Sequence, residues 1–262
     1  MQQRQLKFNI VSSVGMAFFY LQKNYLLAIK MGLVLVIASI VTEIFMFYGL
    51  EDVEGLFGSL LRLPEMAIEA WVAFIVARHV IFEENIYCLP KDSGFVKKRS
   101  QLLQIAVVLS VLIELVSVGI FLMLIEWNKS EIPVLQSTFD PVSIIALVFF
   151  FWALRLKVLP VVVASGMSIR QFLTDVKGMM FSFRLLGLLL LCLLPIWFLS
   201  QILLLPIIEN TDPVTSPLTL STSQRLYYFL VSGILSLVKT IVVTVALVSA
   251  LKEMYGSKPL SV

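Results

Sequence analysis

The sequence predicts an all-α integral membrane protein, a six-transmembrane-helix bundle with amphipathic helices at its cytoplasmic-side interface. Three observations carry that reading. First, 59% of the 262 residues are hydrophobic and 14% are charged, against about 45–50% and about 25% in soluble domains; the mean hydropathy is +0.97. Second, six stretches, about 25–48, 62–82, 102–126, 141–163, 184–207 and 226–251, reach the roughly 20 apolar residues that a bilayer core about 30 Å thick requires. Third, Lys and Arg alternate between the connections. The N-terminal segment (Arg4, Lys7, Lys23), the second connection (Lys91, Lys97, Lys98, Arg99), the fourth (Arg170, Lys177, Arg184) and the tail (Lys252, Lys258) are rich. The odd connections hold only Arg62, Lys129 and Arg225. By the positive-inside rule this places both termini in the cytoplasm of a multi-pass inner (plasma) membrane protein. The polar connections are short, so the chain, 1–262, reads as one transmembrane domain.

From the N-terminus, residues 8–23 place Val11, Val14, Phe18 and Leu21 on one face, with Lys7, Ser13 and Lys23 elsewhere. The first span is too long, and lacks a following small-residue cleavage pattern, to be a signal peptide. It carries Lys30 near its inner end and Glu43 in its outer half. Span two starts at Pro64, tolerated where a first helical turn leaves N–H groups unpaired, with Glu65 against the positive helix end. It continues through Glu69 to Arg78 and His79. Asp140-Pro141 repeats the cap-then-proline logic for span four. Past Pro160 and Gly166, Ser168 and Gln171 form a capping-box signature, leading a helix over 169–183. There Ile169, Phe172, Leu173, Val176, Met179, Met180 and Phe183 oppose Arg170, Gln171, Thr174, Asp175 and Lys177, a pattern suited to the headgroup region. The alternative is that both amphipathic segments extend the neighbouring spans. Ala28 with Gly32, Ser232 and Ser236 around Gly233, and Ala246 with Ala250 follow small-xxx-small spacing for close helix contact.

Charges within the spans are the candidate functional residues. Glu114 and Lys239 lie near the middles of spans three and six, where an unpaired charge costs about 2.5–3.5 kcal/mol on insertion scales. An interhelical Glu114–Lys239 pair is expected, either as structural glue or as a proton- or substrate-linked centre. Glu43, Glu65 and Glu69 are candidates for an outer acidic cavity. Lys30, Arg78, Arg155 and Lys157 form a candidate inner basic cluster for headgroups, with snorkelling anchors as the competing reading. The one histidine, two cysteines (Cys88, Cys192) and absence of H-E-x-x-H, G-x-S-x-G, Walker A or G-x-G-x-x-G give no metal site, cofactor or catalytic set. The Lys97-Lys98-Arg99 run reads as a topology signal rather than nucleic-acid binding. Asn128-Lys129-Ser130 matches a glycosylation sequon.

The segment "FFYLQKNYLLAI" before span one, six spans, and a fourth span with Arg155 running through "LPVVVASGMSIRQFL" resemble the bacterial membrane domain found in front of some glycerophosphodiester phosphodiesterases. Kindred stand-alone six-helix inner-membrane proteins are similar. Ser165 and Phe172 stand where that pattern carries an acidic and a small residue. The resemblance implies a membrane-embedded module without catalysis. The expected function is an accessory or scaffold protein for membrane lipids, a membrane protein partner or a second copy. The alternative is a small transporter or lipid-translocating permease using Glu114 and Lys239.

Overall fold

The computed structural model describes residues 8–49, 61–84, 93–129, 141–176, 178–208 and 221–256, and among them every regular element is helical. Helix α1 (Ile10–Lys23) starts at Asn9, whose side chain accepts from the N–H groups of Val11 and Ser12. This satisfies two of the donors that a helix start leaves unpaired. Its buried residues are the small Ser13 and Ala17, while Val11, Met16 and Phe19 are exposed. The inward face sets these small residues beside Val14, Phe18 and Leu21 of the expected stripe, which are partly buried against the core, and of that stripe only Val11 is exposed; the small side chains let α1 approach the last helix closely.

Helix α2 (Tyr25–Gly49) and α3 (Leu63–Phe82) follow the predicted spans within a residue or two. Pro64 and Glu65 occupy the first turn of α3, and its end is a left-handed Glu83 (φ 55°). Helix α4 (Ser93–Lys129) has 37 residues, about 55 Å at about 1.5 Å each. The Lys97-Lys98-Arg99 run thus continues the third span as helix beyond its apolar part.

The fourth predicted span is interrupted. Helix α5 (Pro141–Leu156) stops, residues 157–158 turn, and α6 (Leu159–Ala164) resumes. Pro160 supplies the reason: it has no N–H for the carbonyl of Leu156 four residues earlier, and its ring collides with that carbonyl. The predicted 169–183 helix is likewise divided, into α7 (Ile169–Asp175) and the start of α8 (Met179–Ile208). Phe172 and Val176 are buried, but Leu173, Met179, Met180 and Phe183 are exposed. Ser168 is the N-cap of α7, yet its hydroxyl makes no capping bond. The capping box instead heads α9 (Thr222–Tyr255): Ser221 accepts from the Gln224 N–H, and the Gln224 side chain accepts from the Ser221 N–H. Asp140, Cys88 and Lys177 lie outside the described residues.

Helix α9 is the centre of the bundle, packing against α1, α2, α3, α6 and α8. Two glycines set its distance from α2. Gly32 faces the side chain of Leu237, and Gly233 faces Val36 and Ile40, so each helix offers the other a recess. Polar contacts fix the relative directions. Thr240 reaches Glu69 and Lys252 reaches the carbonyl of Val80, separations of 171 and 172 residues that hold α3 and α9 parallel in one register. Ser39–Glu65 and Glu43–Arg62 contacts join α2 and α3 in antiparallel sense.

Helices α2, α4, α8 and α9 are long and apolar enough to cross a membrane. The other two predicted spans are less plain. Helix α3 carries Glu65, Glu69 and Arg78, and α5 is 16 residues long before its break. The outward surface fits lipid: Leu26, Ile29, Leu33 and Ile37 on α2, and Trp197, Phe198 and Ile202 on α8, are exposed apolar residues. In water such continuous apolar faces would drive association.

Candidate functional site

Five helical units close a ring through successive contacts: α9 to α3, α3 to α4, α4 to the α5–α6 pair, α5 to α8, and α8 back to α9. Inside lies a cavity of about 440 Å3, within the range of about 300–1,000 Å3 typical of small-ligand sites. Its walls are mainly aliphatic, with Ala73, Leu154, Val161 and Leu189 among them. Into this apolar space project two ion pairs.

Lys157 Nζ lies 2.9 Å from Glu114 Oε1, with side chains 45% and 40% exposed. Lys239 Nζ lies 3.3 Å from Glu69 Oε1, with 44% and 33% exposed. Those fractions decide the character of the site, because these pairs present charge to an accessible space instead of sealing it in protein. Thr240 Oγ1 also donates to Glu69 Oε1 at 2.9 Å, anchoring that carboxylate between α3 and α9. Ser110 and Thr244 add hydroxyls to the lining.

The expected direct Glu114–Lys239 pair is corrected: both residues line the cavity, but each has a different partner. Backbone geometry explains the exchange. The break forced by Pro160 falls at Lys157, so this cation departs from the helical course and meets Glu114 on α4 instead of serving as a simple anchor. Glu69 reaches Lys239 because α3 and α9 run parallel in a register that brings these levels together.

The remaining candidates separate. The expected outer acidic cavity does not gather its three carboxylates: Glu69 belongs to the central cavity, Glu65 accepts from Ser39 Oγ at 2.6 Å, and Glu43 pairs with Arg62 at 3.5 Å. The expected inner basic cluster is also dispersed. Lys30 is exposed on α2. Arg155 donates from Nε to Ser182 Oγ at 2.6 Å and from Nη2 to the Gly178 carbonyl at 3.1 Å, tying α5 to the start of α8. Arg78 is 2% exposed, and its guanidinium grips both Glu84 oxygens and donates at 3.2 Å to the Ala164 carbonyl at the end of α6. It also stands over the Phe82 ring at 4.7 Å, a cation–π contact. Arg99 approaches the same carboxylate at 3.3 Å. A buried guanidinium persists only when its charge and donors are met, which marks this cluster as the fastening of α3, α4 and α6.

A second fastening ties α1 and α7 to the end of α9. The Asn9 N–H donates to Glu253 Oε2 at 2.6 Å, and Tyr255 Oη donates to Asp175 Oδ2 at 3.1 Å. Tyr20 on α1 contributes its ring edge-on to His79 at 6.1 Å, and burial pushes its phenol up to about 12. His79 Nδ1 lies 2.9 Å from the Glu84 carbonyl. Among the described residues, no group of three His, Cys, Asp or Glu is placed to hold a metal ion.

Sequence reading missed the Glu84 and Glu69 partnerships. Glu84 carries no pattern of its own, whereas Glu69, Lys239 and Lys157 each announced themselves by lying in an apolar run. Compared with known proteins, the chain matches no family model, no curated protein and no solved structure.

Proposed function

We propose that this is a non-catalytic inner-membrane protein that binds a small amphipathic molecule in the cavity and passes it through the bundle, as a small transporter or lipid-translocating permease. The single observation that carries this reading is the presence of two accessible ion pairs in one apolar-walled cavity of about 440 Å3. Charges retained within spans are costly unless they serve packing or a pathway, and burying these four completely would satisfy packing alone. The break at Lys157 supports the reading further, since interrupted helices place side chains and backbone groups in transporter sites.

In the same proposal the chain crosses the membrane six times, α3 forming the second crossing and α5 with α6 the fourth, with both termini in the cytoplasm. The alternation of Lys and Arg between connections supports that count. Helices α1 and α7 lie at the cytoplasmic interface; the exposed Val11, Met16 and Phe19 of α1 suit the headgroup boundary. The resemblance to membrane domains preceding glycerophosphodiester phosphodiesterases belongs to this proposal as a module without its own chemistry.

Native mass spectrometry of gently extracted protein tests the reading. A bound small molecule or lipid should be present in the wild type and lost in Ala73→Trp, which fills the cavity, while helical content is kept. The same bound mass in both proteins, or no bound molecule in either, would refute the cavity as the site. A stoichiometric second polypeptide without a small ligand would instead favour the accessory or scaffold function.

A further inference from the structure

We infer that the ligand of the cavity is a zwitterion: a molecule bearing one anionic group and one ammonium group on an apolar body. This inference rests on the cavity being the binding site. Its charged lining consists of Glu69, Glu114, Lys157 and Lys239, so two carboxylates and two ammonium groups give a formal sum of zero. A ligand of zero net charge keeps that balance. A monoanion or a monocation leaves one charge without a counterpart inside the bundle, where low polarity makes an unmatched charge expensive.

Neutrality alone does not select a zwitterion over an uncharged molecule; the exposure of the pairs does. All four charged side chains are between 33% and 45% exposed, and a purely apolar occupant would strip them of water without replacing its hydrogen bonds. A zwitterion replaces that water with opposite charges, its anion against a lysine and its ammonium against a glutamate. The aliphatic wall receives the apolar body. The two pairs stand on different helices, Glu69 and Lys239 on α3 and α9, Glu114 and Lys157 on α4 and the α5–α6 break. A dipolar ligand that engages both therefore bridges the parts of the ring that must separate for passage.

Two sources share this chemistry, the phosphoethanolamine headgroup of a membrane lipid and a free apolar amino acid. Detergent-purified protein is incubated with equal amounts of dioleoylphosphatidylethanolamine, dioleoylphosphatidylglycerol, a dioleoyl trimethylammonium lipid and dioleoylglycerol, and retained lipids are weighed by native mass spectrometry. A parallel saturation measurement uses radiolabelled L-phenylalanine. Wild-type protein should retain the zwitterionic lipid at least tenfold over the anionic, cationic and uncharged ones, or bind phenylalanine saturably; the first result assigns a lipid source and the second a free one. Glu69→Gln with Glu114→Gln should turn the preference to the anionic lipid, and Lys157→Gln with Lys239→Gln to the cationic one. These opposite shifts demand folded variants, and the wild-type series is decisive without them. Equal retention of all four lipids without phenylalanine binding, or preference for a net-charged or uncharged lipid, overturns the zwitterion and leaves the cavity reading standing. Binding of no probe at all overturns both.

Discussion

Replacing Gly32 with Ala forces a methyl group into Leu237. A Cβ at position 32 would stand 2.0 Å from Leu237 Cδ1, 2.5 Å from Cδ2 and 2.7 Å from Cγ. Because Cγ itself is too close, turning the terminal methyls does not relieve the clash, and the whole buried side chain must move. Overpacking of this kind costs about 1–3 kcal/mol, while exchanging glycine for alanine in a helix returns about 0.5–1 kcal/mol. The net expectation is a loss of between about 0 and 2.5 kcal/mol after that offset. Reversible unfolding in mixed micelles, followed by circular dichroism, measures it. Leu237→Ala alone should destabilise by leaving a cavity, but in the Gly32→Ala background it makes room for the new methyl, so the double variant should be at least about 1 kcal/mol better than the sum of the singles. Additivity within about 0.5 kcal/mol would show that the two residues do not contact each other and would refute the α2–α9 packing from which the figure is worked.

Three further outcomes follow from the same geometry. Arg78→Leu should cost about 3–5 kcal/mol, because it leaves Glu84 partly buried without its principal partner; Arg78→Lys should recover little, lacking the bidentate grip, and thermal unfolding ranks the three proteins. Pro160→Ala should let α5 run on into α6 and withdraw Lys157 from Glu114; the coupling between Lys157→Gln and Glu114→Gln, obtained from a double-mutant cycle, should then fall to near zero. Tyr20 keeps its proton to about 12 in the folded protein against an ordinary value of 10.0. Its contribution is therefore complete below pH 10 and lost as pH rises through 12, so Tyr20→Phe should flatten that part of the stability profile.

Helix positions were legible in the sequence where the apolar pattern had a physical edge. Pro64 marked the start of α3, and the small-residue spacing at Gly32 and Gly233 marked faces for close helix packing, but not that these two helices meet each other. The break before Pro160 was not read because the predicted span carries on from 141 to 163 across Arg155 and Lys157, which also read as snorkelling anchors at the end of a continuous helix, and composition alone does not register a missing N–H. The division of 169–183 was hidden for the related reason that its spacing remains helical across Gly178. Of the candidate site, the unusual residues were legible but their partners were not. Lys239 stands out in span six, yet its choice of Glu69 over Glu114 follows from a parallel register between helices more than 150 residues apart, which no local pattern encodes.

That register also governs the order in which the protein can be made. Glu69 leaves the ribosome 170 residues before Lys239, an interval of about 8–35 s at about 5–20 residues per second. Throughout it the carboxylate is without its final ammonium partner, and α1 and α2 are without the helix against which they pack. Helices α2, α3 and α4 have contacts of their own to make in the meantime, but the packing of α1, α2 and α3 against α9 forms only when that helix arrives. The walls of the cavity are accordingly complete only once α9 has been made, and a chain halted before residue 239 would leave Glu69 without both Lys239 and Thr240.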